Sequence, residues 1–233
     1  MNILAIDTSN NVLGIGLAKD GQVLGEYMTN IKGNHSVRAM PAIERLMHDC
    51  GLKPADLDKI VVANGPGSYT GLRIGVTIAK TLAWTLKIPL AGVSSLCVLA
   101  SNGEMFDGFV SPLFDARRGQ VYTGLYEGQN GQMSAVIEDR NCQSSDWANE
   151  LLHLNKPVLF LGNDTGIHRD ILSGVMGDKA VFAEGALNNP RPGNLALLGK
   201  DLPGEDIHSF VPNYIRLAEA EANWLKQQEK TED

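Results

Sequence analysis

One stretch, residues 60–86 (IVVANGPGSYTGLRIGVTIAKTLAWTL), constrains the fold more than any other part of the chain. It opens with a short apolar run typical of a buried strand and passes through the turn-forming sequence Asn-Gly-Pro-Gly. It then continues as a long apolar segment with helical spacing. Ser68 or Thr70 can cap the first turn of this segment, because a hydroxyl accepts from free backbone N–H groups. The stretch predicts a strand, a tight turn and a helix over residues 70–87.

The predicted helix is apolar on nearly every side, which favours burial on more than one side. Small residues recur at every fourth position and share one face, so another backbone could approach that face closely. One side of the helix should pack on its own sheet, and the other is expected to meet a partner. The alternative is that the stripe of small residues packs entirely inside its own lobe. The stripe consists of Gly71, Gly75, Ala79 and Ala83.

The order of predicted elements recurs in two halves. In the first half, three strands over residues 2–29 precede a helix over residues 35–50. The strand and helix of residues 60–87 follow, and then a further strand and a short helix. The second half repeats this order without a visible sequence repeat. We therefore predict a duplicated α/β protein whose two lobes each read βββαβαβ(α), with a cleft between them.

The predicted lobes are an N-terminal lobe over residues 1–104, which carries the partner-binding helices, and a C-terminal lobe over residues 105–233. Within the second lobe, residues 201–213 are predicted to be irregular. The tail from residue 216 is rich in charged side chains and is predicted to be a solvated helix.

Composition narrows the functional classes. The net charge of −7 argues against a chain that grips a phosphate backbone by itself. The three cysteines are odd in number and lack metal-ligand spacing, so they are expected to be reduced packing thiols. No apolar run reaches ~18 residues and no secretory leader is visible, so we expect a cytoplasmic protein without a membrane segment.

Three places could hold an anion, and a structural role is open for each. The first is the N-terminus of the helix after Gly65-Pro66-Gly67, where exposed amides and the helix dipole favour an anion, although the turn could instead only feed a closely packed helix. Asp7, Thr8 and Ser9 follow the first strand, where an acid and hydroxyls approach a metal-bound phosphate in duplicated α/β phosphotransferases. They are the candidate nucleotide-binding residues, although they could instead only organise the turn into the second strand. In the second half, Arg117 and Arg118 follow an aspartate and could bind an anion or form a salt bridge within a hairpin.

The residues predict no catalytic set and no metal site. None of the five histidines stands four positions from another, so no helical metal pair exists. No Gly-x-Ser-x-Gly elbow is present, and a peptidase lacks both a nucleophile–base pair and a metal site. His35 stands at the start of a predicted helix and is expected to act as a capping or interface residue.

Five blocks of the chain form a recognisable set, of which one is highly specific and the others would be weak alone. The specific block is Gly65-Pro66-Gly67-Ser68-Tyr69-Thr70-Gly71-Leu72-Arg73-Ile74-Gly75. The further blocks are Ala5-Ile6-Asp7-Thr8-Ser9, His35-Ser36 with Pro41, Asp115-Ala116-Arg117-Arg118-Gly119-Gln120-Val121-Tyr122, and the closing Pro212-Asn213-Tyr214-Ile215-Arg216. Together these blocks resemble the bacterial TsaB (YeaZ) family.

The resemblance implies the actin/sugar-kinase/Hsp70-like (ASKHA, ribonuclease H-like) fold and a part in forming threonylcarbamoyladenosine in tRNA. In that family the transfer is catalysed by a paralogue, TsaD, and an ATPase, TsaE, completes the assembly with ATP. The metal-binding His-x-x-x-His of TsaD falls on Ser95 and Leu99 here, and neither side chain can replace imidazole. The resemblance thus implies a non-catalytic scaffold or activator of TsaD that meets tRNA only through the complex. No tightly bound cofactor is implied, and ATP or ADP at the interface of the complex stays open.

We predict that the helices 35–50 and 70–87 pack against the same pair of TsaD, and that the chain forms a homodimer when alone. Methionine adapts to varied partners, and small residues permit a close crossing of helices. The alternative function is an independent ATP-binding phosphotransferase that uses Asp7. The predicted interface residues are His35, Met40, Ile43, Met47, Gly71, Arg73, Ile74, Gly75, Ile78, Ala79 and Leu82.

Overall fold

Two five-stranded mixed sheets form the centre of the computed structural model, which describes residues 1–31, 33–129 and 132–215. The first sheet has the order β3-β2-β1-β4-β5, in which β1 pairs antiparallel with β2 and parallel with β4. Its lobe comprises β1 (Asn2–Asp7), β2 (Val12–Lys19), β3 (Gln22–Asn30), α1 (His35–Asp49), β4 (Lys59–Gly65), α2 (Tyr69–Leu86), β5 (Leu90–Ser94) and α3 (Ser95–Ala100).

The second sheet repeats this topology with the order β8-β7-β6-β9-β10. Its elements are β6 (Phe109–Asp115), β7 (Gln120–Gln129), β8 (Gln132–Gln143), α4 (Ser144–Leu152), β9 (Val158–Leu161), α5 (Thr165–Met176), β10 (Ala180–Phe182) and a final helix α6 (Pro192–Leu198). The predicted duplicated ASKHA-like fold is therefore confirmed.

Both faces of the first sheet are covered. On one face, α1 and α2 bury an apolar cluster that includes Ile43, Met47 and Ala79. On the other face, Leu195 and Ala196 of α6 pack against β1 and β4. The helix α3 lies between the lobes, because its apolar side chains belong to the same cluster as those of β6 and β9.

Residues 199–215, which we call the return segment, run back along the first sheet. The Glu205 amide donates to the Leu90 carbonyl at 2.8 Å, and the Asn213 amide donates to the Asn64 carbonyl at 2.7 Å. Phe210 is buried in the same cluster as α1 and α2. The segment contains no helix or strand, yet it is anchored along its length to the N-terminal lobe.

The predicted ranges of the two lobes do not fully describe the packing of the chain. Helix α6 and the return segment belong to the predicted C-terminal range but pack on the first sheet. The boundary at residues 104 and 105 itself stays a prediction. The predicted tail helix lies outside the described residues. No helix within the described ranges is long and apolar enough to cross a bilayer.

Candidate functional site

The glycine-rich turn before α2 rests on the loop between β1 and β2. Ser68 is the N-cap of α2, and its hydroxyl accepts from the Gly71 amide at 3.3 Å. The Ser68 amide donates to the Ser9 carbonyl at 2.7 Å. The first turn of α2 is therefore tied by its backbone to the residues that follow β1.

The glycines of the motif make this contact possible. A Cβ atom at Gly67 would lie 2.2 Å from the Ser9 carbonyl oxygen, and one at Gly71 would lie 2.1 Å from that of Thr8. At Gly75 it would lie 2.4 Å from the Thr8 hydroxyl. At Gly71 and Gly75 the chain's own β1–β2 loop therefore occupies the space, and the approach of a partner helix along this stripe of small residues stays a prediction.

The candidate nucleotide-binding residues are buried by the same contact. Asp7 and Thr8 are each 1% exposed, and the Thr8 hydroxyl donates to the Gly71 carbonyl at 2.7 Å. The amide and hydroxyl of Ser9 both donate to Asp7 Oδ1, at 2.9 and 2.7 Å. Burial raises the pKa of the Asp7 carboxyl, and its Oδ2 has no hydrogen-bond partner among the described residues. These side chains organise the turn, and the structure speaks against direct nucleotide contacts by Asp7 and Thr8.

An open cleft of about 840 Å³ lies between the lobes, beside the ends of β1 and β6. Its first wall includes Ser9, the first turn of α2 and His35. His35 is only 9% exposed, and its Nε2 lies 2.8 Å from the Asn10 carbonyl. The contact fastens the start of α1 to the β1–β2 loop, and the interface role of His35 stays a prediction.

The second wall of the cleft comes from the β6–β7 hairpin. Asp115 pairs with the buried His168, whose Nε2 lies 3.0 Å from Asp115 Oδ1. The Asp115 amide donates to Asp164 Oδ2 at 3.0 Å. Arg117 and Arg118 are exposed at the tip of the hairpin, with φ of 66° and 56°. Within the described ranges, no group of three or more His, Cys, Asp or Glu side chains could hold a metal ion.

A second surface, the α1–α2 face, is formed by the outer sides of the two helices and is defined by Val37, Met40, Ile74 and Ile78. Val37 is 66% and Met40 46% exposed, and the two isoleucines are half-buried. The two helices contact each other and lie on the same side of the first sheet. Their outer sides are therefore adjacent, and Ile74 also lines the interlobe cleft.

The predicted interface residues divide between this surface and the core. Met40 and Arg73 are exposed, and Leu82 is half-buried with the isoleucines. Five of the predicted interface residues are buried within the first lobe of the single chain, and their part in a partner interface stays a prediction: Ile43, Met47, Gly71, Gly75 and Ala79.

Sequence reasoning missed several exposed residues beside the α1–α2 face. Tyr69 packs on Tyr214 of the return segment with ring centroids 5.2 Å apart. Arg73 Cζ lies 4.2 Å from the centroid of the Tyr69 ring, and Arg73 Nε donates to the Tyr214 hydroxyl at 3.1 Å. Val37 and Trp84 are also exposed. The sequence signal for these exposed helix residues was their position on the side of each helix that lies opposite its buried residues.

The fold and the cleft define a protein of the actin/sugar-kinase/Hsp70-like class in which protein atoms fill the glycine-rich turn. A family model described as tRNA N6-adenosine threonylcarbamoyltransferase (TsaD) matches residues 22–224. YeaZ from Pseudomonas aeruginosa superposes with a TM-score of 0.77 at 25% identity, over 91% of this chain and 99% of that one.

Sequence relatives narrow the class to a family. The chain is 57% identical to the tRNA threonylcarbamoyladenosine biosynthesis protein TsaB of Bacillus subtilis, over 98% of this chain and 100% of that protein. The protein of the same description from Escherichia coli is 34% identical over 56% of this chain and 58% of its own length. The chain belongs to the TsaB (YeaZ) family.

Proposed function

We propose that this chain is a non-catalytic subunit in the formation of threonylcarbamoyladenosine in tRNA. The relatives described as biosynthesis proteins of this modification support the pathway. Two features of the molecule support the non-catalytic role. They are the burial of Asp7 beside the cleft and the outer surface of α1 and α2.

The cleft supports a non-catalytic role. An independent phosphotransferase would need an acid that reaches the substrate, and Asp7 is buried against the first turn of α2. The positions that resemble the metal ligands of TsaD are also committed to the core. Ser95 and Leu99 are fully buried in α3, and the Ser95 hydroxyl accepts from the Gly65 amide at 3.1 Å.

The observation that carries the proposal is the α1–α2 face, on which the apolar side chains of Val37 and Met40 are exposed. Exposed apolar patches with a polar rim mark sites of protein association. We propose TsaD as the partner, with its equivalent helices packed against α1 and α2 in a pseudo-symmetric interface. In its absence, a second copy of this chain would bind the same surface as a homodimer.

The remaining partners follow from this arrangement. The net charge of −7 is unfavourable for tRNA, so tRNA would be held mainly by the other subunits. TsaE would join the complex with ATP, and any nucleotide would lie at an interface between subunits.

The docking surface is tested by the double substitution Val37→Glu and Met40→Glu. Both side chains are exposed, so the free chain should remain folded. Removing two central apolar contacts costs about 2–3 kcal/mol, which weakens the Kd for TsaD by about 30- to 150-fold. Calorimetry with purified TsaD measures the change.

The matched control is Ile167→Glu, since Ile167 is a 65% exposed apolar residue on a helix of the second lobe. This variant should bind TsaD as the unsubstituted chain does. Equal binding by all three proteins would refute the docking surface. Reconstituted tRNA modification that proceeds equally well without this chain would refute the subunit role.

A further inference from the structure

Within the described residues, the chain crosses between the two lobes twice, and hydrogen bonds join the two crossings to each other. The first crossing, residues 101–108, leads from α3 to β6, and the second, residues 183–191, leads from β10 back to α6. Asn102 Nδ2 in the first crossing donates to the carbonyls of Leu187 and Asn189 in the second, at 2.9 and 2.8 Å. A rotation of the lobes that moves one crossing against the other would break these contacts.

A second set of hydrogen bonds ties both lobes to the later crossing. Asn30 ends β3 in the first lobe, and Asn163 lies in the turn between β9 and α5 in the second lobe. Both side chains donate to Asn189 Oδ1, at 3.0 and 2.9 Å. Asn30 Nδ2 also donates to Asn163 Oδ1 at 3.1 Å. The three amides therefore form a closed triangle, in which each side chain is bonded to the other two, and the triangle joins the lobes directly.

The later crossing is held on both sides of this triangle. The Gly162 amide donates to Asn188 Oδ1 at 2.9 Å, and Asn163 Nδ2 donates to the Asn188 carbonyl at 3.2 Å. Farther along, Arg191 Nε donates to Glu26 Oε2 of β3 at 3.1 Å. The crossing is therefore bonded to the second lobe before the triangle and to the first lobe after it.

We propose that this asparagine network is a lock on the hinge between the lobes, which holds the interlobe cleft at one width. Asn163 directly precedes Asp164, which lines the cleft, so the lock acts beside the cleft. The apolar packing between α3 and β6 is compatible with more than one lobe angle, because the hydrophobic effect is non-directional. Hydrogen bonds select one angle, because they need both a short distance and good alignment. The network consists of Asn30, Asn102, Asn163, Asn188 and Asn189.

Double electron–electron resonance on the full chain tests the lock without any partner protein. Glu44 on α1 and Asp170 on α5 are both exposed, and each is replaced by p-acetylphenylalanine, which carries a nitroxide label while the native cysteines stay in place. With the network intact, the distance between the two labels should have one narrow distribution.

Releasing the lock should broaden this distribution or add a second distance. Asn163→Asp replaces an amide that donates twice by a carboxylate that faces the oxygens of Asn188 and Asn189. The loss of two hydrogen bonds favours the released arrangement by about thirtyfold. Asn163 is exposed, so the substitution leaves the cores of both lobes intact, and circular dichroism checks the fold.

The donor and acceptor roles predict different outcomes for the same change at different positions. Among the described residues, the side chain of Asn189 serves the network only as an acceptor, so Asn189→Asp should keep the narrow distribution. Asn102 donates to two carbonyls, so Asn102→Asp should broaden it. The matched control is Asn149→Asp, because the exposed Asn149 donates only to the Ser145 carbonyl of its own helix, and this change should have no effect.

A broad or double distribution in the chain with an intact network overturns the proposal. A distribution that both Asn163→Asp and Asn102→Asp leave unchanged overturns it as well. The same holds if Asn189→Asp or the control broadens the distribution as much as Asn163→Asp does. Because TsaD is absent, no outcome depends on the proposed docking surface.

Discussion

Substituting Gly71 by Ala tests whether this glycine makes room for the chain's own β1–β2 loop or for a partner helix. Within a helix, Ala is favoured over Gly by about 1 kcal/mol. Here the new Cβ would lie 2.1 Å from the Thr8 carbonyl oxygen, a backbone atom that cannot turn aside. Overpacking costs about 1–3 kcal/mol, and displacing the Thr8 hydroxyl from the Gly71 carbonyl costs about 1 kcal/mol more. The net expectation is a loss of about 2 kcal/mol.

Thermal unfolding of the purified chain measures this loss, which corresponds to a fall in Tm of about 4–8 °C for a chain of this size. Gly174→Ala is the matched control. Gly174 lies inside α5, where a Cβ atom would meet nothing within 4 Å. This variant should gain about 1 kcal/mol and about 2–4 °C. If Gly71→Ala instead raised Tm as the control does and only weakened the binding of TsaD, the glycine stripe would face the partner and the packing argument would be refuted.

Two further predictions concern a contact inside the second lobe and the contact that holds the start of α6 on the first sheet. Asp139 accepts from the Tyr126 hydroxyl, and burial raises the pKa of its carboxyl. A raised native pKa stabilises the fold below the unfolded pKa, and this contribution is lost as pH rises through the native value. The Tm of Asp139→Asn minus the Tm of the unsubstituted chain should therefore be more positive at pH 7 than at pH 4. An equal Tm difference at the two pH values would contradict this prediction. Glu26 accepts from Arg191 and from the first turn of α6, so Glu26→Gln should lower Tm by about 2–4 °C through loss of about 1 kcal/mol. Glu150→Gln, in an exposed ion pair, should change Tm by less than about 1 °C, and equal effects of the two would refute the anchoring role.

The order of elements could be predicted because its signals are local. The sequence Lys19-Asp20-Gly21 predicts a tight hairpin, and the structure holds Asp20 and Gly21 at φ of 50° and 84° between β2 and β3. The Gly-Pro-Gly-Ser turn marks the start of α2, and Ser68 is its cap. Such features need no knowledge of distant residues.

The packing of the glycine stripe could not be predicted in the same way. Gly71 and Gly75 signal that a backbone approaches closely, but spacing alone does not say which backbone. Thr8 lies more than sixty positions earlier and meets α2 only because β1 and β4 pair in parallel. In the single chain these two glycines pack inside the first lobe, which agrees with the alternative stated for the stripe, and a partner on the stripe stays a prediction.

The packing of the return segment could be predicted from the sequence even less well. Lys59 Nζ donates to the Lys200 carbonyl at 3.0 Å, and Lys80 Nζ donates to the Phe210 carbonyl at 2.7 Å. These contacts join residues more than a hundred positions apart and use backbone carbonyls, which carry no side-chain pattern. An irregular stretch with two large aromatics, Phe210 and Tyr214, was the available signal, and it does not identify the lobe on which the stretch packs.

The strand–turn–helix unit that leads into α2 in the first lobe and into α5 in the second lobe is packed differently in the two lobes. Gly65 and Gly162 end the equivalent strands β4 and β9 with φ of 121° and 131°. After Gly65, the helix is pressed onto the β1–β2 loop; after Gly162, Gly166 in the first turn of α5 has no atom within 4 Å of a Cβ position. Close packing at the first helix ties the start of α2 to the β1–β2 loop through the Ser68 amide and the Thr8 hydroxyl. Because a helix that is held in place loses little conformational entropy on association, this packing would favour the proposed docking of a partner on the α1–α2 face.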